Sequence, residues 1–288
     1  MSKPFFLKLN FNPGGEFIFS SRFFCRKKIF AAEARNRLGS ARMEPLAVAQ
    51  KAARAAGDLL CSKFEKPLTV NAATAHDIKL EVDVQAQDLI TKILLTEFPG
   101  HALYGEEGIV GDQQSDYQWV VDPLDGTVNF FYGIPHFCVS IALRFRGEVI
   151  VGVIFDPMRN ELWSAEKNGS ATLNERPIKV SPRTQLAEAV VSIGLAKTSA
   201  TIEAGLPLLQ DMVHRVRKCR MLGSAALDLA YVASGRLDAY IEQGISLWDI
   251  AAGWLLVERA GGRVELAPRE GMPDKFRVVA SNGRLQLS

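Results

Sequence analysis

Trp119-Val-Val-Asp122-Pro123-Leu124-Asp125-Gly126-Thr127-Val-Asn129-Phe130 is the stretch on which the fold of this chain turns. Trp119 to Asp122 reads as a short strand, and the Gly-Thr-Val-Asn-Phe run that follows reads as the first turn of a helix. Asp122 and Asp125, at i and i+3 around a proline, are pushed toward one another where the strand ends. At about 4 to 5 Å and an effective dielectric near 20, their repulsion is roughly 3 to 4 kcal/mol. A cation removes that cost. Oxygen ligands with no His or Cys nearby favour Mg²⁺ or Mn²⁺ over zinc, and Mg²⁺ suits phosphate substrates. Gly126 allows close backbone approach, and free amides at a helix start bind an anion. Metal ligands and phosphate donors are thus adjacent in the chain.

Outward from this stretch, helices and strands alternate. Periodicity begins at Met43 and runs through Leu46, Ala53, Ala56, Leu60 and Phe64, predicting a helix of about twenty residues. After Asp77 to Asp83 comes a second amphipathic helix, in which Leu89, Ile90, Ile93, Leu94 and Phe98 share a face and Pro99-Gly100 ends the run. Short strands are predicted at Ala102 to Tyr104, Trp119 to Asp122, Ser140 to Phe145 and Val149 to Phe155. The second half carries a strand near Val190 to Ile193 and helices near Ile202 to Val216 and Ser224 to Ser234. A short strand from Asp238 ends on Glu242, and a helix from Asp249 to Ala260 is closed by Gly261-Gly262. The pattern is layered α+β, without internal repeats after residue 43.

With 288 residues, 48% hydrophobic and 23% charged, the composition is that of a globular protein. We expect one phosphatase-sized domain over 43–288, with subdomains of roughly 43–185 and 186–288. The first 42 residues hold nine Lys/Arg against Glu16 and Glu33, a charge of +7; the remainder has 25 basic and 30 acidic residues, a charge of −5. A mildly acidic body has no field favouring general nucleic-acid binding, so no nucleic-acid partner is expected. Cys25, Cys61, Cys138 and Cys219 are widely spaced, which indicates neither a disulfide framework nor a zinc site and makes a reducing cytoplasm the default. The densest apolar stretch, Cys138 to Phe155, is broken by Arg144, Arg146, Gly147 and Glu148, so it reads as a β-hairpin rather than a membrane span.

Residues 1–42 contain eight of the sixteen phenylalanines among basic residues, with no continuous apolar core ending in small residues. That excludes the signal-peptide pattern and fits a transit peptide only in part. The simpler expectation is a natural start at Met43, preceded by a disordered extension or a misplaced start.

Two further acidic groups stand at element ends: Glu106-Glu107 within Gly-Glu-Glu-Gly, and Asp249 after Trp248. Singly, each has a plainer reading: Asp125-Gly126 as a turn, Glu106-Glu107 as a solvated loop, Asp249 as a helix cap. Their joint occurrence points to a metal site. His76, His101, His136 and His214 have no catalytic spacing, and Trp163, Trp248 and Trp254 read as core.

Gly105-Glu106-Glu107-Gly108, the Trp119 to Phe130 stretch and Trp248-Asp249-Ile-Ala-Ala-Gly253 resemble the inositol monophosphatase family of Mg²⁺-dependent, lithium-sensitive phosphatases. Asp156-Pro157, Gly223-Ser-Ala225-Ala-Leu-Asp228 and Glu242, seven residues before Asp249, extend the resemblance over essentially all of 43–288. It implies an αβαβα layered sandwich, a homodimer, and hydrolysis of phosphate monoesters with two or three Mg²⁺ ions. By the same resemblance Glu106, Asp122 and the Leu124 carbonyl hold the first metal, and Asp122, Asp125 and Asp249 the second. A metal-bound water oriented by Glu106 and Thr127, with Asp83 behind it, attacks phosphorus in line. Asp125, Gly126 and Thr127 face the phosphate, while Gly223, Ala225 and Glu242 line the polyol side. Glu107 is a supporting residue rather than a ligand.

The sequence departs from the family pattern in three places. Lys79-Leu80 stands where relatives often have Val-Thr, Ala72 where many carry a lysine near the metals, and Ser246 where some inositol-specific members have histidine. The expected activity is hydrolysis of inositol monophosphate or related sugar and polyol phosphates. The alternatives are a histidinol-phosphate, fructose-bisphosphate or nucleotide 3′-phosphatase on the same scaffold, or a non-catalytic binding protein. No base-stacking aromatic lies in Gly223 to Asp228, which disfavours the nucleotide reading. Because periodicity starts at Met43, deleting residues 1–42 is expected to change neither activity nor melting temperature. A drop of several degrees in a thermal melt would show instead that the phenylalanines pack on the body.

Overall fold

The computed structural model describes residues 43–195, 198–269 and 272–287, so the expectation for residues 1–42 lies outside the described residues. The first helix, α1 (Pro45–Lys63), starts with proline at its first turn and buries Val48, Ala49, Ala52, Ala53, Ala56 and Leu60 along one face. A hairpin of β1 (Val70–Ala73) and β2 (Ile78–Leu80) leads directly into α2 (Glu81–Glu97). Then come β3 (Ala102–Gly105), β4 (Gly108–Val110), β5 (Tyr117–Asp125) and the short α3 (Thr127–Phe131). Five more strands follow: β6 (Cys138–Phe145), β7 (Glu148–Asp156), β8 (Glu161–Glu166), β9 (Thr172–Leu173) and β10 (Arg176–Pro177). The second half runs β11 (Val190–Gly194), α4 (Ser199–Arg215), β12 (Lys218–Arg220), α5 (Ala225–Ala233), β13 (Ala239–Ile245), α6 (Leu247–Arg259), β14 (Arg263–Arg269) and β15 (Met272–Ser281).

The long strands form an eight-stranded sheet in the order β10-β9-β8-β7-β6-β5-β3-β4 and a five-stranded sheet in the order β12-β11-β13-β15-β14. Side-chain alternation along each strand decides what lies on either face. On β6, Val139, Ile141 and Leu143 join Ala53 and Leu60 of α1 and Ile90 and Leu94 of α2, while Cys138 and Ala142 face Leu229 of α5 and Leu256 of α6. On β13, Tyr240 points to that same α5/α6 layer, whereas Ala239 and Ile241 pack with Met212 of α4. The layers are therefore α1/α2, large sheet, α5/α6, small sheet and α4, the αβαβα sandwich that the resemblance implies. Two residues of β7 serve this frame. Asp156, fully buried, closes β7 by accepting the amides of Met158 and Arg159 at 2.9 and 3.0 Å and pairing with the Arg159 guanidinium at 2.7 Å. Gly152 of β7 lets α6 approach the large sheet, since a Cβ there would lie 2.8 Å from the Ala252 carbonyl oxygen.

Three expectations are corrected. Glu242 does not end its strand: β13 continues to Ile245, and Glu242 pairs with Val278 of β15. Pairing with β15 is irregular past Glu242 and resumes where Ile245 meets Phe276, which carries the strand beyond the point where the side-chain pattern stops. Strand β8 is not predicted because Glu-Leu-Trp-Ser-Ala-Glu has no β-branched residue; pairing with β7 makes it a strand and buries Trp163 completely. Trp248 and Trp254 are not core in the same sense. Trp248 walls a cavity, and Trp254 is half-buried with its indole N–H donating to Glu258 at 2.7 Å. Gly152→Val should destabilise the fold by about 1–3 kcal/mol through overpacking against α6. The urea midpoint of the variant measures this, and an unchanged midpoint would mean that the contact yields.

Candidate metal and phosphate site

Three carboxylates of the site are positioned by helix N-termini, where free amides favour negative charge. Asp83, in the third position of α2, accepts the Leu80 amide through Oδ2 at 2.8 Å. Asp249, in the same position of α6, accepts the Ser246 amide at 2.9 Å. Asp125, at the end of β5, reaches across to the start of α5: its Oδ2 accepts the Ser224 hydroxyl at 2.6 Å and the Ala226 amide at 2.7 Å, and its Oδ1 the Ala225 amide at 3.3 Å. Asp122 makes a local turn, its Oδ1 accepting the Leu124 amide at 3.0 Å. The pairing of β5 with β6 is irregular between Asp122 and Asp125, so the strand's end turns both side chains out of alternation.

One carboxylate oxygen each from Asp122, Asp125 and Asp249 lies within 4.8 Å of the others, two of the residues being buried and the third half-buried. All donors are hard oxygens, and buried like charges at this spacing are stabilised by a divalent cation, so the set fits Mg²⁺. The adjoining cavity, about 560 Å³, is walled by Glu106, Asp125, Glu242, Trp248, Asp249 and Lys275, and also by Gly223 and Ala225. Asp83, Asp122, Leu124, Gly126 and Thr127 are not among its described walls. Gly126 and Thr127 open α3, next in the chain to Asp125, and Gly126 has φ +98 with the His136 carbonyl oxygen 2.9 Å from where a Cβ would stand. No other residue fits there without strain.

Burial pushes the Asp83 carboxyl up to about 7, with Glu106 and Glu107 adding to the rise and the Leu80 amide opposing it. Burial likewise raises Asp125, against the Ser224 hydroxyl and Ala226 amide, and the Glu106 charge raises it further. Glu242 is pushed up to about 7 by burial, opposed by a short hydrogen bond from the Tyr240 hydroxyl and assisted by Asp249 and Asp125. Burial and mutual repulsion thus raise the proton affinity of all three carboxyls.

The Thr127 hydroxyl donates to the Leu124 carbonyl oxygen at 2.9 Å rather than to Asp83, whose Oδ1 is buried with no hydrogen-bond partner among the described residues. Among the described residues no hydrogen bond joins Thr127 to Asp83. Glu107 pairs with Lys79 at 3.1 Å, and its amide donates to Gln87 at 2.9 Å. Ala72 and Lys79, from two of the three departures noted above, face each other across the β1/β2 hairpin, and Lys79 also walls the cavity. Sequence reasoning missed two organisers. Ser224 both caps α5 and holds Asp125, for which the Ser before a helical run is the signal. Asn129 donates to the carbonyls of His136 and Leu222 at 2.9 Å each, tying α3 to the Leu222-Gly223 loop, and no local pattern announces that contact.

An acidic cluster at element ends, facing a cavity in an αβαβα sandwich, defines the class. The profile described as the inositol monophosphatase family matches residues 42–287, and the chain belongs to that family. Among its relatives, Nus factor SuhB of Pseudomonas aeruginosa is 41% identical over 250 residues, 83% of this chain and 92% of the relative. Inositol-1-monophosphatase of Mesorhizobium japonicum is 41% identical over 251 residues, 85% and 94% of the two chains. The crystal structure of extragenic suppressor protein suhB from Bartonella henselae superposes with a TM-score of 0.77 at 36% identity, covering 83% of this chain and 93% of that one.

The carboxyl shifts set a pH dependence. An acid whose folded pKa lies above its unfolded value favours folding while protonated; that contribution is complete below the unfolded pKa and is lost as pH rises through the folded one. For Asp83 the window runs from 3.8 to about 7. In the presence of a chelator, stability should fall across that window, and Asp83→Asn, which keeps an acceptor for the Leu80 amide, should make the fall shallower. Urea midpoints at a series of pH values test this, and parallel curves for the two proteins would contradict it.

Proposed function

We propose that the protein is a Mg²⁺-dependent phosphate monoester hydrolase acting on inositol monophosphate or related sugar and polyol phosphates. The observation that carries this reading is the Asp122, Asp125 and Asp249 cluster, within 4.8 Å, at the edge of a cavity that Glu242 also walls. In this reading Glu106, Asp122 and the Leu124 carbonyl hold one metal, and Asp122, Asp125 and Asp249 a second. Bound Mg²⁺ supplies Lewis-acid polarisation of the phosphoryl oxygens and lowers the pKa of water. The chain's own groups supply orientation. The Thr127 hydroxyl proton is committed to the Leu124 carbonyl, which leaves its oxygen lone pairs to accept a hydrogen bond from the attacking water and orient it. Glu106 orients that water from the cavity wall, with Asp83 behind it on the α2 side. Amides of Gly126 and Thr127 hold phosphate oxygens, and Glu242 accepts hydroxyls of the leaving alcohol beside Gly223 and Ala225.

The resemblance supports a homodimer, and the wide spacing of the cysteines supports a reducing cytoplasmic setting; among the described residues no helix is long and apolar enough to cross a membrane. Relatives named Nus factor support a second reading, a non-catalytic factor on the same fold. The crowded carboxylates favour the enzyme, because a binding protein gains nothing from buried, mutually repelling acids.

Phosphate release by residues 43–288 with Mg²⁺, across inositol, hexose, histidinol and adenosine phosphates, tests the activity and ranks the substrates. Asp249→Asn should fold, lose most turnover, and lose the rise in melting temperature that Mg²⁺ gives the wild type. Thr127→Ala should lower kcat by about 10²–10⁴ with a smaller change in KM. Near wild-type turnover in Asp249→Asn at saturating Mg²⁺ would defeat the metal assignment, and a pure KM effect would move Thr127 to binding.

A further inference from the structure

Most charged walls of the cavity are acidic: Asp77, Glu106, Asp125, Asp228, Glu242 and Asp249. Two lysines oppose them. Lys79 is already ion-paired with Glu107 at 3.1 Å. Lys275, on β15, is different: among the described residues its ammonium donates to a neutral group, the Ser246 hydroxyl, at 2.5 Å. It stands 6.0 Å from the centroid of the Trp248 ring, also a cavity wall, and its charge acts on Glu242, lowering that carboxyl's proton affinity. An ammonium has three donors, of which Ser246 takes one, and the Trp248 ring attracts the same cation and holds it at the cavity wall.

We propose that Lys275 is a specificity-determining residue of the leaving-group side, and that the preferred substrates are phosphate monoesters whose alcohol carries a second anionic group, a phosphate or a carboxylate, seated on its ammonium. The proposal rests on the phosphatase reading above, because it assigns the scissile phosphate to the carboxylate cluster and the rest of the molecule to the Glu242 and Lys275 walls. A neutral polyol offers Lys275 only hydroxyls, whereas an anion makes a charge-assisted hydrogen bond roughly twice as strong. A cavity of about 560 Å³ lies within the range of ordinary ligand sites and has room for a substituent beyond the scissile phosphate. Among the described residues Glu242 accepts the Tyr240 hydroxyl, and no ion pair joins it to Lys275.

Two matched pairs test the assignment: glycerol 2-phosphate against 2-phosphoglycerate, which differ by a carboxylate, and fructose 1-phosphate against fructose 1,6-bisphosphate, which differ by a phosphate. The wild type should prefer the charged member of at least one pair. Lys275→Met should lower kcat/KM for that member about tenfold more than for its neutral partner, mainly through KM, and Lys275→Arg should keep the preference. The pair that shows the contrast identifies the anion. A wild type without preference, or equal losses for both members, would overturn the proposal and leave Lys275 as a brace for Ser246 and the start of α6. If the wild type hydrolyses none of the four esters, the phosphatase reading fails separately. Calorimetric binding of the glycerol pair then decides the subsite: a preference for 2-phosphoglycerate lost in Lys275→Met supports it, and no preference sinks it.

Discussion

The constraint on which this structure depends is the gathering of like charges. Asp122, Asp125 and Asp249 bring carboxylate oxygens within 4.8 Å, and Glu106, Asp83 and Glu242 add to the same field. Helix N-termini make that crowding tolerable. Asp83 and Asp249 occupy the same position in α2 and α6, while Asp125 borrows the first amides of α5. Each of these carboxylates accepts at least one N–H at a helix start, and one oxygen each of Asp125 and Asp249 lies within 4.8 Å of one of Asp122. Burial then raises the proton affinity of Asp83, Asp125 and Glu242, so proton uptake and cation binding are alternative answers to one electrostatic problem.

The layered sandwich supplies the distances. Strand β5 carries Asp122 and Asp125 from the large sheet, and β13 carries Glu242 from the small one. Helices α5 and α6 fill the layer between them, and their N-termini deliver Ser224 and Asp249 to the same place. Gly152 sets how closely α6 approaches the large sheet, and Gly253 how closely it approaches α5, since a Cβ there would lie 2.4 Å from the Leu229 Cβ. Core packing and site geometry are thus coupled. A shift of α6 by a fraction of an ångström moves Asp249 relative to Asp122 and Asp125.

Much of the site was legible because its residues carry local structural duties as well. Asp122-Pro-Leu-Asp125-Gly126-Thr127 had to be a strand end followed by a helix start, and Trp248-Asp249 had to open a helix, whatever lay around them. Ser246, Asp249 and Ser224 obey capping rules that act within a few residues. The hydrophobic alternation of β6 and the 3.6-residue period of α1 and α2 likewise name their buried faces without reference to partners. By contrast, β8 has no β-branched residue, and Glu242 sits mid-strand because β15 pairs with it and again beyond it.

By itself, then, the sequence determined the elements, the acidic residues at their ends, the resemblance to a family, and a donor set suited to a hard divalent cation. These follow from short-range sterics, capping and periodicity, which a chain expresses locally. Tertiary structure alone decided that Asp125 is held by the amides of α5 about a hundred residues away, that Asn129 ties α3 to Leu222, that Lys79 faces Ala72 across a hairpin, and that Lys275 reaches Ser246 from β15. Such contacts arise from how sheets twist and layers pack. No periodicity of 2 or 3.6 records which distant carbonyl, amide or ammonium a side chain will meet once they do.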